Sequence, residues 1–259
     1  MNAGQRMAET RAGTRAGTRA GKREPFILPA PRKRVNSPAT KLLWRPGRWP
    51  YNLRRATQCL HMTTQCVLSP ADYRRMPWKN GGGYTTEIAT FPAGSDFASF
   101  AWRVSIAEVL RDGPFSPFPG VDRTLVLLAG GGMRLTEESA PIELRTAFEP
   151  MDFSGDASLQ CSLLAGPVRD FNLMVRRGKA RGSIVVCRDA GGRVAAASTY
   201  VCYAAAGTTE CAVDGLPPIA LAPFHTLVVT SDAGTAAPAL RVRPLAAGAV
   251  TLVAAIRFT

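Results

Sequence analysis

A lysine and an asparagine stand directly before three consecutive glycines in the segment 76–88. Lys79 supplies a positive charge, Asn80 supplies an amide, and the glycines at 81–83 allow backbone N–H groups to approach an anion closely. The Gly-x-x-x-x-Gly-Lys-Ser/Thr spacing of a P-loop is absent, so this is not that nucleotide motif. The same pattern is typical of a tight turn between two elements, and the residues alone leave both interpretations open.

The clearest strand signal of the chain, over residues 99–107, places an arginine and a serine on one face. Large apolar residues occupy the opposite face, whereas Arg103 and Ser105 share theirs with small alanines that leave room beside the guanidinium. In a low-dielectric cavity an arginine binds a carboxylate through two parallel hydrogen bonds. Periodicity alone is equally compatible with a solvated outer face.

Other polar and aromatic residues complete a candidate pocket of cations, hydrogen-bonding groups and apolar walls, the last including Trp78 and Phe115. The candidate ligand-binding residues are Lys79, Asn80, Thr85, Glu87, Arg103, Ser105, Ser116, Phe118, Arg123, Asp170 and Asn172. This mixture is typical of a small-molecule site, and we expect a small carboxylate metabolite as the partner. Glu87 and Asp170 are expected to orient the cations. A purely structural role remains open for each residue: Arg123 can tie its loop, and Asp170 can cap a turn.

The sequence offers few residues for metal-dependent or nucleophilic catalysis. After residue 61 it contains a single histidine, His225, and no His-x-His pair, so we expect no metal and no cofactor. There is no Gly-x-Ser-x-Gly motif and no recognisable Cys/His arrangement. We therefore assign no catalytic residue and interpret His225 as a turn or strand-edge residue.

The net charge of +13 is concentrated in the first 61 residues, which hold 14 Lys and Arg against 2 Asp and Glu. The segment buries little, so we expect a disordered basic extension. It is a nucleic-acid or acidic-surface tail, a targeting peptide, or upstream sequence before a true start near Met62. We favour the last interpretation, because the ordered pattern begins there. Residues 62–259 are almost neutral, which argues against a broad nucleic-acid-binding face.

The cysteine pattern and the hydropathy indicate a cytoplasmic protein without a membrane partner. None of the six cysteines forms a Cys-x-x-Cys pair and no secretory signal precedes them, so we interpret them as free thiols in a reducing compartment. No apolar run approaches the ~20 residues that a membrane helix needs. A homodimer is left open as the assembly.

Beyond a short helix start at Ser69 and Pro70, the chain reads as many short strands separated by Gly/Pro turns. The predicted strands are 84–90, 99–107, 125–128, 133–135, 144–148, 159–164, 170–175, 183–187, 199–205, 210–213, 226–230, 240–243 and 250–258. Residues 112–123 are predicted to form a fixed loop whose phenylalanines plug a barrel end or line a cavity. Such a pattern favours an all-β antiparallel sandwich or barrel.

Several of these stretches, taken in order, resemble the HutD/Ves family. The matching motifs are Pro-Trp-Lys-Asn-Gly-Gly-Gly at 77–83 with Thr85 and Glu87, Trp-Arg-Val-Ser-Ile-Ala at 102–107, Gly-Pro-Phe-Ser at 113–116 with Phe-Pro-Gly at 118–120 and Arg123, Phe-Ser-Gly-Asp at 153–156, and Gly-Pro-Val-Arg-Asp-Phe-Asn-Leu-Met at 166–174. The resemblance implies a cupin-type (RmlC-like jelly-roll) β-sandwich with two cupin-like barrels, which we place at 62–150 and 151–259.

The resemblance also implies a link to histidine catabolism or stress response, with no established catalytic activity. We favour a non-catalytic binding protein that senses a small carboxylate metabolite and modulates histidine or amino-acid catabolism. The first alternative is a metal-independent cupin enzyme, an isomerase or lyase, with Glu87 or His225 as base. The second alternative is a nucleic-acid binder that acts through the basic N-terminal segment.

Overall fold

The computed structural model describes residues 63–137, 141–232 and 236–259. The predictions for the N-terminal extension, including nucleic-acid binding and the start near Met62, concern residues outside these ranges. The described residues form nineteen β-strands and one 3-10 helix, Pro70–Asp72, so the predicted all-β class is confirmed. Ser69 caps that helix, as predicted: its backbone N–H and its hydroxyl both donate to the Asp72 carboxylate. None of the described helices is long and apolar enough to span a membrane.

The strands follow one another with short connections. They are β1 (Thr63–Leu68), β2 (Arg74–Pro77), β3 (Gly83–Phe91), β4 (Trp102–Val109), β5 (Gly113–Phe115), β6 (Val121–Ala129), β7 (Met133–Thr136), β8 (Pro141–Leu144), β9 (Pro150–Ser154), β10 (Leu159–Leu163), β11 (Val168–Arg176), β12 (Ala180–Arg188), β13 (Gly192–Val194), β14 (Thr199–Ala206), β15 (Thr209–Val213), β16 (Ile219–Leu221), β17 (Thr226–Ser231), β18 (Leu240–Pro244) and β19 (Val250–Phe258).

These strands pair into four antiparallel sheets. The six-stranded sheet has the order β2-β3-β4-β11-β6-β9, and the five-stranded sheet has the order β1-β17-β14-β19-β12. Two smaller sheets have the orders β5-β10-β7-β8 and β13-β18-β15-β16, and we call them the β10 sheet and the β15 sheet. The predicted division of the chain at residue 150 does not coincide with this pairing. Strands β9, β10 and β11 pair with strands that precede residue 150.

Three large apolar cores lie between the sheets. The first joins the six-stranded sheet to the β10 sheet and includes Leu125 and Leu135. The second joins the opposite face of the six-stranded sheet to the five-stranded sheet and includes Phe171 and Tyr203. The third joins the five-stranded sheet to the β15 sheet, around Tyr200. Successive side chains of a strand point to opposite faces, so the central strands of the two larger sheets contribute to two cores each.

The strands that the sequence pattern missed share a position in the fold. Strands β1, β2, β5, β9, β13 and β16 were not predicted, and all six lie at the edges of their sheets. A further edge strand, β8, was predicted at 144–148 and lies at Pro141–Leu144. The predicted loop 112–123 contains β5 and the beginning of β6. Edge strands are short and partly solvated, so they lack the clear alternation on which the prediction depended.

A buried tyrosine hydroxyl closes the loops at one end of the third core. Tyr200 is fully buried, and its hydroxyl accepts a hydrogen bond from the Ala197 N–H at 2.9 Å. The same hydroxyl lies 2.7 Å from the carbonyl oxygen of Pro238, to which it donates. It therefore ties the loop after β13 to the segment before β18, just beyond the last pair of these two strands, Val194 and Leu240.

We expect the substitution Tyr200→Phe to lower the free energy of unfolding by about 1–3 kcal/mol, because it leaves a buried N–H and a buried carbonyl without their partner. Urea denaturation followed by circular dichroism measures the change. Tyr84→Phe is the matched control at a half-buried ring that covers Arg75, and its effect should stay within about 0.5 kcal/mol. Equal effects of the two substitutions would contradict this role of the hydroxyl.

Candidate functional site

Strand β11 lies between β4 and β6 and aligns polar side chains from all three strands. Met174 pairs with Arg103 of β4 and with Arg123 of β6, while Asn172 pairs with Ser105. Directly opposed residues of antiparallel strands point to the same face, so these side chains share one face of the six-stranded sheet. This face also carries the apolar residues of the first core. The polar group therefore occupies one end of the space between the six-stranded sheet and the β10 sheet.

Arg103 is almost fully buried and is only partly paired. Its exposed fraction is 4%, its Nε donates to the Glu87 carboxylate at 2.8 Å, and its Nη1 donates to the Ser105 hydroxyl at 3.3 Å. Its Nη2 is buried without a partner. A bulge between Glu87 and Ala89 shifts the register of β3 against β4 next to this ion pair. Glu87 therefore orients Arg103, as expected, and one guanidinium nitrogen stays available.

Arg123 is buried to a similar degree in an aromatic environment. Its Cζ lies 4.5 Å from the ring centre of Phe115, 5.2 Å from that of Phe118 and 5.1 Å from that of Phe153. Its Nη1 donates to the carbonyl oxygen of Ser116 at 3.4 Å, whereas its Nε has no partner. Burial lowers the pKa of Arg123 to about 10 against the opposing charge of Asp170, so the group stays cationic at neutral pH.

Two acceptors on β11 are buried without partners beside these cations. Both carboxyl oxygens of Asp170 and the Oδ1 of Asn172 lack a hydrogen bond, and Asp170 is fully buried. Burial raises the pKa of Asp170 to about 7, although the charge of Arg123 acts in the opposite direction. Unpaired buried polar atoms are rare in folded proteins and indicate a site for a ligand, an ion or ordered water.

Lys79 and Asn80 do not lie with this group. Both are exposed in the turn between β2 and β3, where the Gly82 N–H donates to the Asn80 Oδ1 at 2.9 Å. This turn lies near Val109, because Gly83 pairs with that residue. The opposite end of β4, where Arg103 lies, is about 20 Å away at about 3.4 Å per residue. The glycine-rich segment is therefore a turn, and the expectation that it joins Arg103 in one pocket is corrected.

Three other candidates have more limited roles. The Thr85 hydroxyl accepts a hydrogen bond from the Trp78 Nε1 at 2.7 Å, and Ser116 contributes its carbonyl oxygen while its side chain faces solvent. His225 precedes β17 of the five-stranded sheet, and its Nδ1 lies 3.2 Å from the Pro223 carbonyl oxygen. Glu87, the other residue predicted as an alternative base, is held in an ion pair with Arg103 at 2.8 Å.

Two aromatic residues of the site are not marked by the sequence pattern. Phe97 lies in the connection between β3 and β4, and its ring centre is 5.0 Å from the Arg103 Cζ. Phe153 belongs to β9, a strand that the sequence pattern did not predict. Phe97 stands outside any regular alternation, so no periodic signal marks it. Its position just before the strand that carries Arg103 is the one sequence feature that connects them.

The arrangement has the chemistry of an anion site. Arg103 and Arg123 each present an unpaired, buried guanidinium nitrogen, and aromatic rings cover both groups. Asp170 changes its charge near neutral pH beside them. Among the described residues, no group of three or more His, Cys, Asp or Glu side chains has the arrangement of a metal site. The five described cysteines are free thiols.

Relatives with similar sequences carry the names that the motifs suggested. An uncharacterised 21.2 kDa protein in the hutC 3′ region of Pseudomonas putida is 38% identical over 149 residues, which is 58% of this chain and 78% of that protein. Protein Ves of Citrobacter koseri is 38% identical over 119 residues, which is 44% of this chain and 61% of Ves. The structure of HutD from Pseudomonas fluorescens SBW25, described for a formate condition, has a TM-score of 0.63 at 32% identity and covers 76% of this chain and 100% of its own.

A more distant likeness concerns the fold alone. An oxalate decarboxylase of Lactobacillus farciminis, solved as a formate complex, has a TM-score of 0.52 at 7% identity and covers 74% of this chain and 85% of its own. It supports a cupin-like β fold for the described sheets. The HutD family model matches residues 70–249, which is more than half of the sequence. The resemblance to the HutD/Ves family is confirmed, and the chain belongs to the HutD family.

Proposed function

We propose that this protein is a non-catalytic binding protein for a small carboxylate, held between Arg103 and Arg123. One observation carries the proposal: the two buried guanidinium groups each keep a nitrogen without a partner, on strands that flank β11. A buried donor without an acceptor destabilises the protein by about 1–3 kcal/mol. A carboxylate supplies two acceptor oxygens and a compensating negative charge, and it removes this penalty on binding.

The spacing of the two arginines suits a small ligand. The strands β4 and β6 are separated by β11, so the Cα atoms of Arg103 and Arg123 lie about 10 Å apart at about 4.8 Å per strand. Both side chains extend from the same face, and their guanidinium groups interact electrostatically. Met174 lies between them on β11, so the proposed ligand contacts the ends of the two side chains and is a small acid, not a polymer.

The relatives support a place for this binding in amino-acid catabolism. The Pseudomonas putida relative is in the hutC 3′ region, and the chain belongs to the HutD family. We therefore propose that the ligand is a metabolite of histidine or amino-acid breakdown in the cytoplasm, and that its binding modulates that pathway. The formate condition of the Pseudomonas fluorescens HutD structure makes formate a reasonable first probe.

We further propose that the four sheets form two cupin-like barrels. The six-stranded sheet with the β10 sheet is the first barrel, and the five-stranded sheet with the β15 sheet is the second. Strand pairing favours a boundary between Arg176 and Ala180, with β1 added to the second barrel. The interior of the second barrel is lined by apolar residues such as Tyr200, Cys202 and Leu227. The carboxylate site is assigned to the first barrel.

The substitution Arg103→Ala should strongly reduce stabilisation by the bound acid, because it removes one of the two guanidinium partners. A screen of formate, histidine, urocanate, formiminoglutamate, formylglutamate and glutamate by thermal shift identifies the acid, and calorimetry measures its affinity. We expect a 10- to 100-fold loss of affinity, roughly the 1.5–3 kcal/mol of a hydrogen bond to a charged group. Unchanged affinity would remove Arg103 from the site.

Two further variants make this test specific. Arg134→Ala removes an exposed arginine that pairs with Glu143 at 2.6 Å, and it should leave the affinity unchanged. Arg103→Ala alone leaves Glu87 without its partner, so the double variant Glu87→Gln/Arg103→Ala separates loss of the ligand contact from destabilisation. The double variant should fold and should still fail to bind the acid.

A second candidate function is a metal-independent enzyme acting on the same acid, and one observation favours it. Asp170 shares a sheet face with the two arginines, interacts with the charge of Arg123 and has unpaired oxygens, and burial raises its pKa to about 7, where a general acid or base is most effective. Asp170 thus replaces Glu87 and His225 as the candidate base. Product formation observed by NMR in the wild type, and its loss in Asp170→Asn, would identify an enzyme. Binding without product supports the sensor.

The titration of Asp170 has a consequence for stability. Its carboxyl group releases its proton near pH 4 when unfolded and near pH 7 when folded, so the folded state holds the additional proton between these values. The stability that this group contributes is therefore greatest below pH 4 and is lost as the pH rises to 7. We expect the wild type to lose roughly 2–4 kcal/mol relative to Asp170→Asn between pH 4.5 and 8, measured by urea denaturation.

The interpretation of this titration depends on the groups that face Asp170. Arg123 and the buried thiol of Cys161 interact with it, and burial raises the pKa of that thiol to about 11, so neither changes charge in this range. Asp189→Asn, at an exposed aspartate, is the matched control and should follow the wild type. Parallel curves for the wild type and Asp170→Asn would show that Asp170 does not titrate near neutrality.

A further inference from the structure

Phe97 is a large apolar side chain that remains mostly in solvent beside a charged group. Its exposed fraction is 53%, yet its ring lies 5.0 Å from the Arg103 Cζ and 5.3 Å from the ring centre of Phe118. Single exposed apolar residues usually need no explanation. Phe97 differs because one side of its ring covers a guanidinium that is itself 4% exposed.

Phe118 provides the fixed half of this ring pair. It packs against the buried residues Phe100, Val121 and Met174, and its ring lies 5.2 Å from the Arg123 Cζ. The Phe118 N–H donates to the carbonyl oxygen of Gly155 at 2.6 Å. Two rings from different loops therefore meet above the two arginines, one packed and one largely free.

Adjacent arginines at the end of β11 hold the backbone beneath both rings. Arg176 donates from Nη2 to the Phe97 carbonyl oxygen at 2.7 Å and from Nε to the Phe100 carbonyl oxygen at 3.1 Å. The Arg177 N–H donates to the Gly120 carbonyl oxygen at 2.9 Å, next to the loop of Phe118. The strand that carries Asp170 and Asn172 thus also positions the aromatic pair.

We infer that Phe97 is the specificity-determining residue of the carboxylate site, and this inference rests on the proposed function. Its ring and that of Phe118 are inclined by 45° and form an aromatic corner next to the two guanidinium groups. A flat unsaturated tail attached to the carboxylate stacks on the largely exposed Phe97 ring, with Phe118 at its edge, whereas a saturated tail of the same size does not. The site therefore takes small conjugated or aromatic acids in preference to saturated ones.

The experiment compares benzoate with cyclohexanecarboxylate, which are similar in size and differ in flatness, and uses formate as an acid without a tail. Calorimetry on the full chain should show benzoate binding about 2- to 10-fold more tightly than cyclohexanecarboxylate, the range of one aromatic contact. Phe97→Leu should bring the two affinities together, with a larger loss for benzoate than for formate or cyclohexanecarboxylate. Phe97→Tyr, which keeps the ring, should restore the preference.

Phe91 offers a matched control. It is 39% exposed and is the last residue of β3, next to the loop that contains Phe97. Its ring stacks on Trp102 and contacts Phe258, away from the two arginines. Phe91→Leu should behave as the wild type. Three results would overturn the inference. They are a preference for benzoate that persists in Phe97→Leu, an equal loss of affinity for all three acids in that variant, and a wild type that binds formate but does not prefer benzoate. Failure of the wild type to bind any acid would instead overturn the proposed function.

Discussion

The burial of two arginines on one face of a β-sheet is the constraint on which the site depends. Removing a guanidinium from water is unfavourable by several kcal/mol unless partners compensate for the lost hydration. Arg103 is compensated by Glu87 at 2.8 Å. Arg123 is compensated by three phenylalanine rings and one carbonyl oxygen, with Asp170 as its nearest opposite charge. The first guanidinium is paired directly with a carboxylate, whereas the second is surrounded mainly by aromatic rings.

The position of these groups follows from the two-sided burial of β11. Phe171, Leu173 and Val175 enter the second core, and the residues between them carry the polar face. A slip of one residue would move the carboxylate of Asp170 into that core and expose apolar side chains to the site. The register is therefore fixed by apolar packing on the side of the sheet opposite the candidate site. A bulge between Arg169 and Asp170 adjusts the alignment with β6 at that point.

The parts of this structure that the sequence predicted are the ones governed by burial on both faces. The alternation of apolar and polar residues located β4 and β11 and placed Arg103, Ser105 and Asn172 on polar faces. It is clear there because every second side chain of a strand inside a sheet points to the same face. Edge strands such as β2 and β9 escaped prediction, since one side of each meets solvent or a loop. Lys79 and Arg103 were assigned to one pocket because both are cations. The type of a residue does not reveal near which end of a strand its side chain lies. The pairing of Phe97 with Phe118 depends on loop geometry that no periodic pattern encodes.

If the proposed site binds an anion, its charges couple that binding to the binding of a proton. When Asp170 is ionised, Arg103, Arg123, Glu87 and Asp170 sum to zero, and a bound carboxylate leaves one negative charge in a buried space. When Asp170 is protonated, the same four groups carry one positive charge, which the carboxylate cancels. Because burial already holds the pKa of Asp170 at about 7, a negative ligand beside it raises that pKa further and the complex takes up a proton. A neutral carboxyl group also donates a hydrogen bond, so the protonated Asp170 becomes a third donor toward the ligand together with the two arginines.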